Sequence, residues 1–132
     1  MADTSRTAPS DSLSGDRRAT LGAYGEQVAA RFLVDRGLVV VDRNWRCDAG
    51  EIGLVLRDGR VLVVCEVKTR SSRSFGAPLE GVDERKAARL RRLAARWVTE
   101  HGVHPADIRI DLVGVLVERG VVTDIDHACG VG

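Results

Sequence analysis

The sequence has little cysteine, no long hydrophobic run and almost no net charge. Its three cysteines, Cys47, Cys65 and Cys129, are odd in number, widely spaced and form no C-x-x-C pair, which argues against a disulfide framework and against a zinc site. No apolar stretch approaches the ~20 residues that a membrane-spanning helix needs, and residues 1–18 have no apolar signal segment. These absences predict a cytoplasmic protein that does not enter a membrane.

Charge of neither sign dominates, because 20 Lys and Arg are matched by 19 Asp and Glu to give a formal net charge of +1. Any attraction to phosphate must therefore come from local clusters of basic residues. The length of 132 residues and the 44% hydrophobic content fit a single globular domain. We predict a flexible tail over 1–18, one domain over 19–128 and a short tail over 129–132. His127, near Cys129, is predicted to lie in flexible chain and is not expected to bind metal.

The spacing of apolar residues predicts the order helix, three strands, helix, strand. We expect the first helix to begin at an N-cap at Thr20, and a β-hairpin to turn at Asp58-Gly59, a pair that favours a type I′ turn. Asp83 is the predicted N-cap of the second helix, and Val121-Val122 is a predicted short edge strand. Strands joined through a helix are usually parallel neighbours. The sequence therefore predicts an α/β fold with a mixed sheet flanked by helices.

Glu66 and Lys68 follow an apolar run, Val61 to Cys65, and are separated by one residue, so in a strand they share a face. A carboxylate beside an ammonium can bind a divalent metal while the lysine orients an attacking water, as phosphodiester hydrolysis requires. The isolated pattern is more typical of a surface ion pair. Charges at the end of a buried strand favour the functional interpretation.

Seven short motifs, one of which contains this pair, are spread between Leu21 and Leu116: Gly22-Ala23-Tyr24-Gly25-Glu26, Asn44-Trp45-Arg46, Gly50-Glu51-Ile52, Glu66-Val67-Lys68-Thr69-Arg70, Phe75-Gly76-Ala77-Pro78, Lys86 and Asp111. With these motifs the sequence resembles the YraN (UPF0102-type) family of predicted endonucleases, in the PD-(D/E)xK superfamily related to Holliday junction resolvases. The resemblance implies a restriction-endonuclease-like αβββαβ core, Mg²⁺ or Mn²⁺ as cofactor and DNA as partner. Related resolvases act as dimers, so a homodimer is a further expectation.

The resemblance also implies the roles of the acidic residues. Glu66 is then a metal ligand, Lys68 positions the nucleophilic water, and Glu26 adds an acid from the first helix. Without the resemblance, Glu26 is better interpreted as complementing the dipole near a helix N-terminus. With Glu51 as a second metal ligand, the predicted catalytic set is Glu26, Glu51, Glu66 and Lys68.

The sequence departs from the family pattern at Gly53, where the family has a metal-binding aspartate. A glycine offers a metal no side-chain ligand. Three accounts are open: Glu51 takes over the missing role, the domain is a non-catalytic nucleic-acid-binding module, or Gly53 is a local variant. We hypothesise that activity is strongly reduced relative to a Gly53→Asp protein.

Basic residues near the predicted site are candidates for nucleic-acid contacts. The second helix repeats arginine at positions 85, 89, 92 and 96, a spacing that can follow a phosphate backbone or simply form a solvated helix face. Arginine in the loop after Lys68 can pair bidentately with phosphate. The residues predicted to bind nucleic acid are Arg46, Thr69, Arg70, Arg73, Lys86 and Arg89.

Overall fold

The computed structural model of the chain describes residues 14–71 and 83–131, with side chains described from residue 20 onward. Seven elements follow one another: α1 (Ser14–Asp35), β1 (Val39–Cys47), β2 (Gly50–Asp58), β3 (Val61–Arg70), α2 (Glu84–His101), β4 (Asp107–Glu118) and β5 (Val121–Ala128). The first six have the predicted αβββαβ order, which confirms the restriction-endonuclease-like fold class. Neither helix, as far as the chain is described, has the length and hydrophobicity needed to cross a membrane.

The strands form one sheet in the order β1-β2-β3-β4-β5. All neighbours are antiparallel except β3 and β4, which run parallel from the Val61–Asp107 pair to the Arg70–Leu116 pair. The mixed sheet and the parallel strands on either side of α2 are therefore confirmed. The predicted edge strand is also confirmed, but it has eight residues instead of two.

A separate hydrophobic core lies on each face of the sheet. The α1-side core includes Ala29, Leu33, Leu54, Val63 and Val113. The α2-side core includes Ile52, Val64, Leu90, Trp97 and Ile110. Because β3 and β4 are covered on both faces, they are nearly continuous apolar runs and do not alternate with polar residues.

The helix starts differ in how well the sequence predicted them. The Asp83 cap is confirmed, since its Oδ1 accepts a hydrogen bond of 2.8 Å from the backbone N–H of Lys86. The Thr20 cap is wrong, because α1 begins at Ser14 and Thr20 lies inside the helix. Residues 14–18, assigned to the tail, are thus helical. Alanine and arginine have high helix propensity, so the helix extends beyond the apolar periodicity that marked its buried part.

The β2–β3 hairpin is confirmed, but its turn is not of the predicted type. Its loop is Gly59-Arg60, and only Gly59 has a positive φ, of 61°, whereas a type I′ turn requires positive φ at both central residues. The loop between β4 and β5 does meet this requirement, because Arg119 and Gly120 have φ of 54° and 78°.

Candidate functional site

The sheet forks between β2 and β3. The two strands pair from Asp58–Val61 as far as Leu54–Cys65. Beyond that pair, residues 50–52 of β2 pair with β1, while residues 66–70 of β3 pair with β4. A fork is accessible from both faces of the sheet, so side chains from α1 and from the α2 side can approach the same place.

Glu66 and Lys68 lie at this fork on the face of β3 that α2 covers. Val64 belongs to the α2-side core, and strand alternation puts residues 66 and 68 on the same face. The carboxylate of Glu66 is held there by Lys86, whose Nζ lies 2.7 Å from Oε2. Both Glu66 and Lys68 are half-buried. The acid and the amine thus share one surface, next to the first turn of α2.

Glu26 reaches the fork from the other face, and its carboxylate occupies the space above Gly53. A Cβ placed on Gly53 would overlap Glu26 Oε2 and lie 3.2 Å from its Cδ. The local cause is a break in the alternation of β2. Ile52 packs in the α2-side core, yet Leu54 packs in the α1-side core, so Gly53 and Leu54 both face α1. The glutamate of α1 thereby fills the place where the family aspartate would project.

The acids at the fork repel one another. The pKa of Glu26 is raised, first by burial and then by the negative charges of Glu51 and Glu66, while Arg43 opposes the shift. A carboxylate with a raised folded-state pKa binds its proton more tightly when folded, so its contribution to stability declines as the pH rises through its unfolded value. Above that pH the ionised Glu26 carboxylate therefore destabilises the fold, and a bound cation would relieve the repulsion.

Two of the three acids already contact cationic side chains. Besides the Glu66–Lys86 contact, Arg46 Nε lies 3.1 Å from Glu51 Oε1. Glu51 is more exposed than Glu66, with 55% of its side-chain surface accessible against 29%. Arg46 and Lys86 were both predicted to bind nucleic acid, and in the structure each pairs with an acid of the fork.

The other residues predicted to bind nucleic acid are dispersed. Thr69 packs against α1 at Gly25, Arg70 is half-buried at the end of β3, and Arg89 is exposed on α2. Arg73 lies outside the described residues, as does the Phe75-Gly76-Ala77-Pro78 motif. Of the arginine repeat on α2, positions 85, 89 and 92 are exposed, while Arg96 contacts the carboxylate of Asp48.

A small cleft adjoins Glu26 and Gly53 between α1 and the β1–β2 pair. It has a volume of about 240 Å³, and Arg43 and Asn44 also line it. Because Arg43 brings a cation beside a carboxylate, the cleft combines a metal-binding group with a group suited to phosphate.

The close approach of α1 to β3 depends on Gly25. A methyl group there would overlap the Thr69 side chain, so Gly25→Ala is expected to cost about 1–3 kcal/mol of stability, as overpacking does. Gly22→Ala is the matched control, because its methyl group would meet nothing within 4 Å and alanine is the better helix former. Urea unfolding measures both changes. Equal unfolding midpoints for Gly25→Ala and the unmodified protein would contradict the conclusion that Gly25 is needed for the close packing of α1 on β3.

Sequence reasoning missed a polar network centred on Asp111. This carboxylate is fully buried and accepts hydrogen bonds from Arg109 Nε, Arg109 Nη2, His127 Nε2 and Gly130 N at 2.9, 3.0, 2.9 and 3.0 Å. The prediction that His127 lies in flexible chain is wrong, because it belongs to β5 and only 5% of its side chain is accessible. The Arg109-x-Asp111 spacing on one strand was the available signal.

Comparison with known proteins is consistent with the motifs. The model of the "Uncharacterised protein family UPF0102" matches residues 25–115. A UPF0102 protein of Nocardioides sp. is 61% identical over 115 residues, covering 87% of this chain and 93% of the relative. UPF0102 proteins of Beutenbergia cavernae and Streptomyces griseus are 57% and 55% identical, covering 85% and 86% of this chain and 95% and 97% of those relatives. None of these names states an activity, and the matched range contains the whole fork.

Proposed function

The chain belongs to the uncharacterised protein family UPF0102, and on that premise we propose that it is a cytoplasmic, metal-dependent nuclease-fold protein that acts on DNA. The observation that carries the proposal is the meeting of Glu26, Glu51 and Glu66 at the fork, where the pKa of Glu26 is raised by burial and by the other two acids. Acids that repel one another in the folded state are suited to a cation.

The residues at the fork fit Mg²⁺ or Mn²⁺. Both ions prefer oxygen ligands, and Mg²⁺ is usually held by only one or two carboxylates together with waters and substrate phosphate. Glu26 and Glu66 would hold the ion, with Glu51 as a further oxygen donor. When bound, such an ion neutralises charge on a phosphoryl group and lowers the pKa of a coordinated water.

The chain's own side chains supply the other requirements of phosphodiester hydrolysis. Lys68 shares a face with Glu66, and we propose that it orients a water or neutralises a phosphate oxygen. The exposed arginines at positions 85, 89 and 92 on α2 would bind the nucleic-acid backbone through charge, without reading sequence.

A second candidate function is a non-catalytic DNA-binding module. The observation that favours it is that Lys86 and Arg46 already neutralise Glu66 and Glu51. In that case the acids serve as partners of basic side chains, and the missing aspartate at position 53 reflects a lost ligand.

A nuclease panel separates the two functions. We expect the unmodified protein to cleave at least one of linear, single-stranded, flapped and four-way DNA with Mn²⁺ or Mg²⁺. Glu66→Gln and Lys68→Met are expected to lower the rate by at least about 100-fold, the cost of removing one preorganised charge-stabilising group. Glu118→Gln, at an exposed position, removes the same charge and should have no effect.

If the nuclease panel detects no cleavage, the affinity of the protein for DNA decides between a binding module and a protein that does not act on DNA. Salt-dependent affinity for DNA that persists in EDTA, without cleavage of any substrate, would support the binding module over the enzyme. An affinity that does not change with salt would exclude both, because contacts with phosphates release counterions.

A further inference from the structure

A second cluster of potential ligands lies on β4, β5 and the residues that follow β5, one strand over from the fork, since Asp111 pairs with Cys65 of β3. A carboxylate oxygen of Asp111, His127 Nε2 and Cys129 Sγ all lie within 4.8 Å of one another. From this cluster we infer that the chain binds one Zn²⁺ ion through Asp111, His127 and Cys129. The site shares no residue with the acidic fork and does not depend on the proposed nuclease function.

The three side chains are held together by the fold. Asp111 is on β4 and His127 on β5, where His127 pairs with Val113. After β5 the chain folds back, since Gly130 N donates to Asp111 Oδ1 at 3.0 Å and Val131 N donates to Ile110 O at 2.8 Å. Gly130 has a φ of 65°, a conformation that glycine adopts without strain. This turn keeps Cys129 beside the histidine.

The polar contacts of His127 converge on a single nitrogen. Nε2 lies 2.9 Å from Asp111 Oδ2 and 3.4 Å from Cys129 Sγ, while the buried Nδ1 has no hydrogen-bond partner among the described residues. A proton on Nε2 can point directly at only one of its two neighbours. A metal ion in its place binds the nitrogen, the oxygen and the sulfur together.

The distances suit a tetrahedral ion. Bonds of about 2.0 Å to nitrogen and oxygen and about 2.3 Å to sulfur place sulfur about 3.5 Å from nitrogen and from oxygen, and nitrogen about 3.3 Å from oxygen. The observed nitrogen–sulfur and nitrogen–oxygen separations are 3.4 and 2.9 Å, so these two pairs need to widen by only a few tenths of an ångström. The Asp111 oxygen and the Cys129 sulfur lie within 4.8 Å, and the exposed cysteine adjusts to complete the tetrahedral geometry. Mixed nitrogen, oxygen and sulfur ligands favour Zn²⁺ over Mg²⁺.

Arg109 is compatible with a metal at this place. Its two hydrogen bonds use one lone pair on each oxygen of Asp111, and its Nη1 is also tied to Asp58 Oδ2 at 3.0 Å. A carboxylate offers about four lone-pair sites, so the ion takes over the site on Oδ2 that now accepts from His127. The positive charge of the Arg109 guanidinium balances the negative charge of the Asp111 carboxylate. The negative charge of the Cys129 thiolate balances part of the charge of the ion.

Cys129 is exposed, so the cluster is open to solvent on the side of the cysteine, where a fourth ligand to the ion would enter. Three protein ligands with one open position are typical of zinc sites that bind water or an exogenous ligand. The odd number and wide spacing of the cysteines hid this site from sequence analysis, since only one cysteine takes part.

Titration of the purified full chain with Co²⁺, in a thiol-free reducing buffer, tests the inference. We expect a sulfur-to-cobalt charge-transfer absorption that saturates at one equivalent and is abolished by Zn²⁺ but not by excess Mg²⁺. Cys129→Ser is expected to eliminate the absorption and to weaken Zn²⁺ binding at least about tenfold, the smaller loss seen when a group supporting a metal site is removed. Cys47→Ser is the matched control and should retain both.

Two results would overturn the inference. One is the absence of the charge-transfer absorption from the unmodified protein at millimolar Co²⁺. The other is an absorption that survives in Cys129→Ser and disappears in Cys47→Ser. Because the side chain of Cys129 is exposed, its replacement by serine is compatible with folding, and circular dichroism of the variant verifies this.

Discussion

Replacing Asp111 by asparagine is expected to cost the fold about 3–5 kcal/mol, the usual loss when one partner of a buried ion pair is removed. The side chain of Asp111 is inaccessible and accepts four hydrogen bonds. An asparagine amide keeps the shape, but it turns one acceptor into a donor and leaves Arg109 without a buried counter-charge. Domains of this size are stable by only about 5–15 kcal/mol, so the variant is expected to be close to unfolding at 37 °C.

The pH dependence of this loss has a definite sign. Burial alone would raise the pKa of Asp111, but the hydrogen bonds from Arg109, His127 and Gly130 outweigh it and lower the pKa below 3.8. A depressed folded-state pKa contributes stability that is present above the unfolded value and is lost as the pH falls through the folded value. The difference between the unmodified protein and Asp111→Asn should therefore be constant near neutral pH and shrink below about pH 3.8.

Urea unfolding at a series of pH values measures this difference. Asp35→Asn at the end of α1 is the control, because it removes the same charge at an exposed position and should change stability by less than about 0.5 kcal/mol, as surface substitutions usually do. If Asp111→Asn and Asp35→Asn unfold at the same urea concentration, the buried network does not hold β4, β5 and the C-terminal turn together.

The fold could be predicted because its main signals are local. The apolar spacing, the Asp83 cap and the Asp-Gly signal of the β2–β3 hairpin each reflect a few adjacent residues. The rule that strands joined through a helix are usually parallel neighbours then predicted the β3–β4 pair. The errors have the same origin. Apolar periodicity marks the buried part of a helix, so it missed the first turns of α1. The polar residues after Val122 likewise concealed the length of β5, which hydrogen bonding to β4 stabilises.

The sequence predicted which acids belong to the candidate site, because they lie in recognisable motifs, but it did not predict the contacts between them. Strand alternation placed Glu66 and Lys68 on one face, but the contact of Glu66 with Lys86 joins residues that are twenty positions apart. The relation between Glu26 and Gly53 depends on where α1 crosses the sheet, which no local pattern encodes. Glu51 was the predicted substitute for the missing aspartate at position 53. In the structure, the Glu26 carboxylate occupies the space that the side chain of that aspartate would fill.

The close approach of the Glu26 carboxylate to Gly53 makes Gly53→Ala the most informative substitution at the fork. Its added methyl group would displace the Glu26 carboxylate and offers no oxygen in return. We expect Mn²⁺ binding to weaken by about 10- to 100-fold, the range found when groups that support a metal site are removed. Gly53→Asp adds the same carbon together with a carboxylate, so it should bind Mn²⁺ at least as tightly as the unmodified protein and cleave DNA faster.

Isothermal titration with Mn²⁺ gives the affinities, and the nuclease panel gives the rates. Gly22→Ala serves as the control for a glycine replacement, because its position on α1 is open. Equal Mn²⁺ affinities for Gly53→Ala and the unmodified protein would show that the Glu26 carboxylate is not a ligand. Equal cleavage by Gly53→Asp and the unmodified protein would show that the missing aspartate does not limit the reaction.

The strictest test asks whether an aspartate carboxylate introduced at position 53 can replace the Glu26 carboxylate as a ligand of Mn²⁺. If one oxygen position at the fork can be filled from either α1 or β2, Glu26→Gln should weaken Mn²⁺ binding strongly in the unmodified background and only slightly when Gly53→Asp is also present. The coupling between the two substitutions, measured by a double-mutant cycle, then reports that they compete for one place. Additive losses would instead mean that Glu26 and an aspartate at position 53 bind the ion independently, because two carboxylates that do not share a position have no reason to compensate for each other.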